Sequence, residues 1–554
     1  MAKNTGVSTQ NLNHLGLVAG TIKELGIAGR IDEILGDKAQ ASKHVSVGEC
    51  VSAMIINGLG FANRAMYLVA SFFQNKPVER LINSNVRAEF LNDDAMGNAL
   101  DKIADFDPTS FFANIAFPIG IKRKYRKRFA RLDSTSFSLE GVYKGFGDST
   151  ENAPQVVEIK YGHSKQHRPD LKQVVLSMMN SGASGFPYWA EPLSGNASDK
   201  KTFHETIRKV QAFQKQIGDN DPFAWAADSA LYSKDHLLNE STKFIWISRA
   251  PETIKKVKEI VTRPDDSFQW EELENGYKIT ALESNYGGIP QRWLLVFSQQ
   301  AYDREVQTLN RRIEESRQTL KTTLWHLSKD EFACEADARK RFNEVMKKYS
   351  FHTATFSIKT AEKYEKRGRP TPGAKPQKTI VQIVEPEITE NAEAIFKARL
   401  SKGRFILATN DLDTKRLSNS DILREYKDLQ KVERGFRFLK DPWFLLDEVF
   451  LKTPKRVTAL MAVMALCLMV YAVAEYELRE SLRKSNNTLP NQLKKEVGNP
   501  TLRWIFSLLD GITVVTINSD GISEKIVANL TSLSEKIIRL FGQTTEQIYD
   551  LSPA

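Results

Sequence analysis

Cysteine is scarce in this chain. Only Cys50, Cys334 and Cys467 occur among 554 residues, far apart and in no C-x-x-C pair. That argues against a disulfide framework and a structural zinc site, and it fits a reducing compartment. A secretory signal is also missing: the start, MAKNTGVSTQNLNHLG, holds no apolar stretch of the needed length. A cytoplasmic protein is therefore expected, associated with the nucleoid if its partner is DNA. There is no internal repeat and no long low-complexity tract. One apolar run stands out, Val457–Ala474, broken only by Thr458. It is at the short edge for a bilayer span, and a buried core helix reads the same way. The core helix is the expectation, with no membrane partner, because nothing else in the chain is membranous.

What is present is size and positive charge. A chain of this length holds several domains with cores that need no staples. The net charge of +10 and pI near 9.1 favour a polyanionic partner. Residues 1–121 read as short amphipathic helices with tight turns at Gly26 and Gly36. A helix-turn-helix DNA-binding domain and a plain helical bundle both fit. A basic run from Lys122 to Arg131, including Lys124 and Arg126, then leads into strand signals, a helix and further strands over 122–250, an α+β or α/β pattern. Residues 251–398 form a mixed unit of antiparallel strands and long polar helices. Residues 399–480 return to a buried strand, RFILATND, and then helices, and 481–554 read as a mostly helical tail.

Two solitary acids end apolar strand-like runs: Asp133 in ARLDSTSF and Asp228 in AWAADSALY. A third lies in YKDLQKVERGFRFLK, where Tyr426, Glu433 and Lys440 recur every seven residues. On one helix that spacing places them in a single column, beside an apolar stripe of Leu429, Val432, Phe436 and Leu439. Two strand acids and one helix acid make a set that can hold hard divalent cations through oxygen. Two such ions about 4 Å apart can clamp the attacking and leaving oxygens of a phosphodiester.

With these residues in view, the chain resembles a DDE transposase of bacterial insertion sequences. It is similar to the large branch whose glutamate helix carries Y-x-x-R-x-x-x-E-x-x-x-x-x-x-K. Tyr426, Glu433 and Lys440 match, whereas Leu429 stands in the arginine's place, with Arg434 or Arg437 as candidate replacements. LDSTSF and AADSALYS resemble the two acidic strands of that family. The resemblance implies an α/β, RNase H-like mixed sheet with flanking helices, interrupted by an inserted strand-rich domain at 251–398 and preceded by the helical domain. The 205 residues between Asp228 and Glu433 leave room for such an insertion.

The resemblance also implies that Asp133, Asp228 and Glu433 bind two Mg²⁺ ions (Mn²⁺ substituting), with Tyr426 and Lys440 on DNA phosphate. The expected activity is cleavage at the element's terminal inverted repeats and joining of 3′ ends to target DNA, by a homodimer on double-stranded DNA. A metal-dependent nuclease and a domesticated, non-catalytic DNA-binding protein are the alternatives. Further DNA contacts are expected from three basic segments. They are His163, Lys165, His167, Arg168 and Lys172 in a polar link between strands, Arg367 and Arg369 in an AT-hook-like Arg-Gly-Arg-Pro, and the Lys122–Arg131 run. The i, i+4 pair His163 and His167 is not read as a zinc site, since Gly162 and Pro169 oppose a helix there.

Overall fold

The computed structural model describes residues 6–37, 44–61, 69–139, 157–164, 168–232, 243–363, 376–440, 453–519 and 522–551. The chain divides into two compact units. One comprises Met1–Ile247 and Arg424–Ala554, the other Ser248–Leu423.

In the first unit, strands β1 (Gly6–Asn11), β2 (Phe129–Leu139), β3 (Lys172–Ser181), β4 (Phe186–Ser194), β5 (Ala224–Ala227), β6 (Thr513–Ser519) and β7 (Ile522–Ala528) belong to two sheets. The larger runs in the order β4-β3-β2-β5. Its first three strands are antiparallel, and β5 lies parallel to β2. Burial along β2 and β3 is nearly unbroken, because both faces are covered and their sequences are correspondingly apolar. The β3–β4 turn depends on glycine. Gly182 has φ 80°, and a Cβ there would lie 2.0 Å from the Tyr125 carbonyl oxygen.

Side chains alternate across a strand, so the register sorts the two faces. Ser134, Ser177 and Glu191 share one face. A helix at Asp199–Gln216 covers it: Asp199 accepts from Ser134, and Glu191 accepts from Thr206 at 2.7 Å. Asp133, Met178 and Ala190 share the opposite face.

Helices α1 (Leu15–Leu25), α2 (Ile27–Leu35), α3 (Val47–Leu59), α4 (Asp93–Phe106) and α5 (Pro108–Lys122) precede the sheet. They belong to the same compact unit as the sheet. Every residue of α3 except Glu49 is buried, whereas a helix that enters a DNA groove needs an open face. Four of them, α1, α3, α4 and α5, pack around the apolar run, which forms part of a helix at Pro454–Lys484. Its most apolar window is 89% buried inside the protein, the placement of a core helix.

The tail differs from the helical expectation. Strands β6 and β7 form an antiparallel hairpin, and β1 pairs antiparallel with β6 from Gly6↔Asn518 to Asn11↔Thr513.

The second unit holds an antiparallel array in the order Arg404–Thr409, Gln291–Ser298, Tyr277–Ser284, Glu271–Leu273. The RFILATND strand thus pairs with a strand of the expected insertion, and the unit runs to Leu423 where 398 was expected as the border. A long hairpin, His352–Lys363 with Lys378–Glu390, packs on helices Gln299–Leu327 and Glu335–Met346 through Leu320, Leu324, Phe342 and Ile383.

Two outcomes test this core. Leu466→Ala, at a fully buried position of the long helix, is expected to lower unfolding free energy by about 3 kcal/mol in urea titration. His14 is buried, meets the Leu59 carbonyl at 3.0 Å and stacks on Phe506 at 4.4 Å. Burial holds its pKa below the ordinary value. The unfolded chain therefore takes up the proton first. Stability should be insensitive to this group above about pH 6.5 and fall as pH drops below it, and His14→Gln should flatten that slope.

Candidate active site

The first two acids are neighbours. The parallel register of β2 and β5 runs from Phe129↔Ala224 to Leu132↔Ala227. One further step brings Asp133 opposite Asp228, on strands about 4.8 Å apart. In-register residues of a parallel pair point to the same face, so both carboxylates share one side of the sheet at the end of β5. Both are half-buried. Backbone amides orient them: Asp133 Oδ1 accepts from Ser134 N–H at 2.7 Å, and Asp228 Oδ1 accepts from Ala230 N–H at 2.8 Å, capping the short turn Ser229–Leu231. Paired carboxylate oxygens of this kind suit a hard divalent cation, which also relieves their mutual repulsion.

The segment carrying the third acid is two helices, not one. α6 (Asn419–Lys427) crosses the division between the units at Arg424, and α7 (Gln430–Leu439) follows it. Between them the hydrogen bonds tighten to i→i+3, from Leu429 N–H to Tyr426 O and from Val432 N–H to Leu429 O. Tyr426 therefore leaves the column of Glu433 and Lys440, and Lys440 caps the C-terminus of α7. The expected apolar stripe is in place: Leu429, Val432, Phe436 and Leu439 are buried.

Two contacts show how α7 lies on β2. At the near end, Arg131 reaches Glu425 at 2.7 Å and Asp428 at 2.8 Å. At the far end, the Lys440 ammonium sits 5.6 Å from the centre of the Phe137 ring. Arg131, Asp133, Thr135 and Phe137 alternate onto one face, so the helix covers the face that bears Asp133. Six strand residues span roughly 20 Å and twelve helical residues about 18 Å. Helix and strand therefore keep pace, and Glu433 comes level with Asp133. Around the helix, Val432, Phe436 and Leu439 face the protein core and Gly435 meets Leu468. Glu433 and Lys440 share the flank on the other side, about 100° from Val432. The Glu433 side chain is exposed, and among the described residues no three His, Cys, Asp or Glu side chains stand together as a group that could hold a metal ion.

The basic run is divided between surface and interior. Arg131, 2% exposed, forms the ion pairs just described. Arg126, expected on DNA, is turned inward: it pairs with Asp219 and stacks 4.1 Å over the Phe223 ring. Arg123 lies 3.7 Å from Glu24 and 3.5 Å from Glu477. Lys124 remains at the surface in a left-handed turn, φ 56°. Lys122, Lys127 and Arg128 are exposed as well, and only within β2 does the run turn fully inward, at Arg131. Arg437 is exposed on α7. His163 is exposed, Arg168 pairs with Asp170 at 2.8 Å, and Lys172 stands opposite Leu139 at the far end of β2. Lys165, His167, Arg367 and Arg369 lie outside the described residues.

Residues 7–117 match the family described as Domain of unknown function (DUF4277). No curated protein matches the chain. Among solved structures it is similar to a cryo-EM structure of a piggyBac transposase synaptic complex with hairpin DNA. The TM-score is 0.35 at 10% identity, over 91% of this chain and 82% of that one. A likeness at that level carries no argument about this chain.

Arg131 should matter to stability. Arg131→Ala leaves Glu425 and Asp428 without their shared cation. The expected loss is about 3 kcal/mol, at the low end for a broken buried pair because both partners keep contact with water. Urea titration would read it.

Proposed function

We propose that the chain is a DNA transposase that binds the terminal inverted repeats of its own element, cleaves there, and joins the 3′ ends to target DNA as a homodimer. The observation that carries this reading is the parallel pairing of β2 with β5 up to Leu132↔Ala227, which puts Asp133 and Asp228 each one residue past the last pair, with α7 and its Glu433 lying over β2. Three antiparallel strands followed by one lying parallel beside the first support an RNase H-like sheet.

In this reading Asp133, Asp228 and Glu433 hold two Mg²⁺, which when bound would clamp the attacking and leaving oxygens of the phosphodiester. The remaining work falls to the chain itself. Ser134 and Ala230 amides keep the two aspartates aimed before any ion arrives. The exposed Glu433 carboxylate swings from its flank to complete the set. Lys440, on the same flank and steadied over Phe137, offers a point charge to the phosphate beside the cut, and Tyr426 approaches from the preceding helix. Arg437, Lys124, His163, Arg168 and Lys172 add contacts to the DNA backbone that would be salt-dependent and carry little sequence information.

The test is cleavage of DNA bearing the element's ends, with Mg²⁺, followed by strand transfer from a pre-cut end. Asp133→Ala, Asp228→Ala and Glu433→Ala should each lower cleavage about a thousandfold, the loss expected when several kcal/mol of transition-state stabilisation go. Circular dichroism should stay native. Cleavage that survives Asp228→Ala and Glu433→Ala would overturn the assignment. Cleavage without joining would assign a nuclease instead.

A further inference from the structure

On the other flank of α7, away from Glu433, the first unit contains a cleft of about 300 Å³, within the range of small-ligand pockets. Its floor is the β3–β4 hairpin, its walls are α7 and the long helix Pro454–Lys484, and the proposed catalytic chemistry uses none of it. Three features describe what it would hold. Asn180, 3% exposed, lines the floor with its Oδ1 buried and without a hydrogen-bond partner among the described residues. An acceptor in that state is destabilising until a donor reaches it. One wall is aromatic: Phe438 and Tyr471 lie with ring centres 4.4 Å apart. Arg434 lines the cleft as an exposed residue and has no carboxylate partner among the described residues. The Gly185 turn keeps the entrance open, since its missing side chain would point toward Lys431 Cβ at 3.5 Å and Asn180 Nδ2 at 3.8 Å.

We propose that this cleft binds a single nucleotide, with its base against the Phe438–Tyr471 wall, a base N–H donating to Asn180 Oδ1, and its phosphate at Arg434. A planar heteroaromatic with an edge donor and an anionic end matches all three features. A sugar, a peptide carboxylate or inorganic phosphate matches only one or two. The nucleotide can be free or an unpaired residue of a DNA strand, and the chemistry of the cleft is the same for both. The assignment does not depend on the Asp133–Asp228 site being catalytic.

Saturation-transfer NMR and calorimetry on the full chain with dAMP, dTMP, deoxyribose 5-phosphate and inorganic phosphate would test it. Nucleoside monophosphates should bind at least tenfold more tightly than either base-free probe. Asn180→Leu should weaken them tenfold or more while melting temperature holds or rises, because an unpartnered acceptor is replaced by an apolar side chain of similar volume. A purely structural Asn180 would instead lower the melting temperature. Arg434→Glu, at the surface and harmless to folding, should weaken monophosphates but not the corresponding nucleosides. For the DNA source, a duplex with one unpaired 2-aminopurine should change fluorescence on binding, and Asn180→Leu should abolish the change. Free or strand-borne binding with these responses supports the site. Equal binding of base-free phosphate, or indifference of both ligand forms to Asn180→Leu, overturns it.

Discussion

The arrangement of the candidate site depends on one buried guanidinium. Arg131 sits within β2, two residues before Asp133, and reaches out of the sheet to Glu425 and Asp428. It also donates to the Gly182 carbonyl at 3.4 Å. A single side chain thus ties the acidic strand, the helix junction and the β3–β4 turn together. Because Asp428 also accepts from Lys431 at 2.7 Å, the first turn of α7 is fixed from both sides. The flank on which Glu433 projects, and the opposite flank that walls the cleft, are set by that anchorage. A charge this enclosed stabilises only modestly in net terms; its larger effect is to specify one rotation of the helix over the strand.

This anchorage also explains the break in the helix. Nothing local at Asp428–Leu429 is a breaker: there is no glycine and no proline. The tightened turn coincides with the place where Asp428 is drawn to Arg131. Tertiary electrostatics there overrides a helical periodicity that runs uninterrupted through the sequence.

Legibility in the sequence divides along the same line. Features set by local pattern were readable. Asp133 and Asp228 stand out because each punctuates an apolar strand, and the stripe through Val432, Phe436 and Leu439 follows from helical spacing alone. Features set by distant partners were not. Arg126 reads as a surface cation until Asp219 and Phe223 are seen beside it. The N-terminal helices read as a group by themselves because their individual lengths say nothing of the long apolar helix that four of them pack around. Strand β1 has no buried residue of its own, and its partner lies some five hundred positions away, so no window of sequence could have revealed it.

That last pairing bears on how the protein comes into being. Gly6 lies opposite Asn518, so the first unit cannot close its smaller sheet while the intervening chain is still being made. At about 5–20 residues per second, β1 waits roughly 25–100 s for its partner strand to be made. Strand pairing across so long a sequence separation is also intrinsically slow. The smaller sheet is therefore completed only long after β1 has been made. A prematurely terminated copy would carry both strand aspartates yet leave an unpaired edge strand, open to aggregation or degradation.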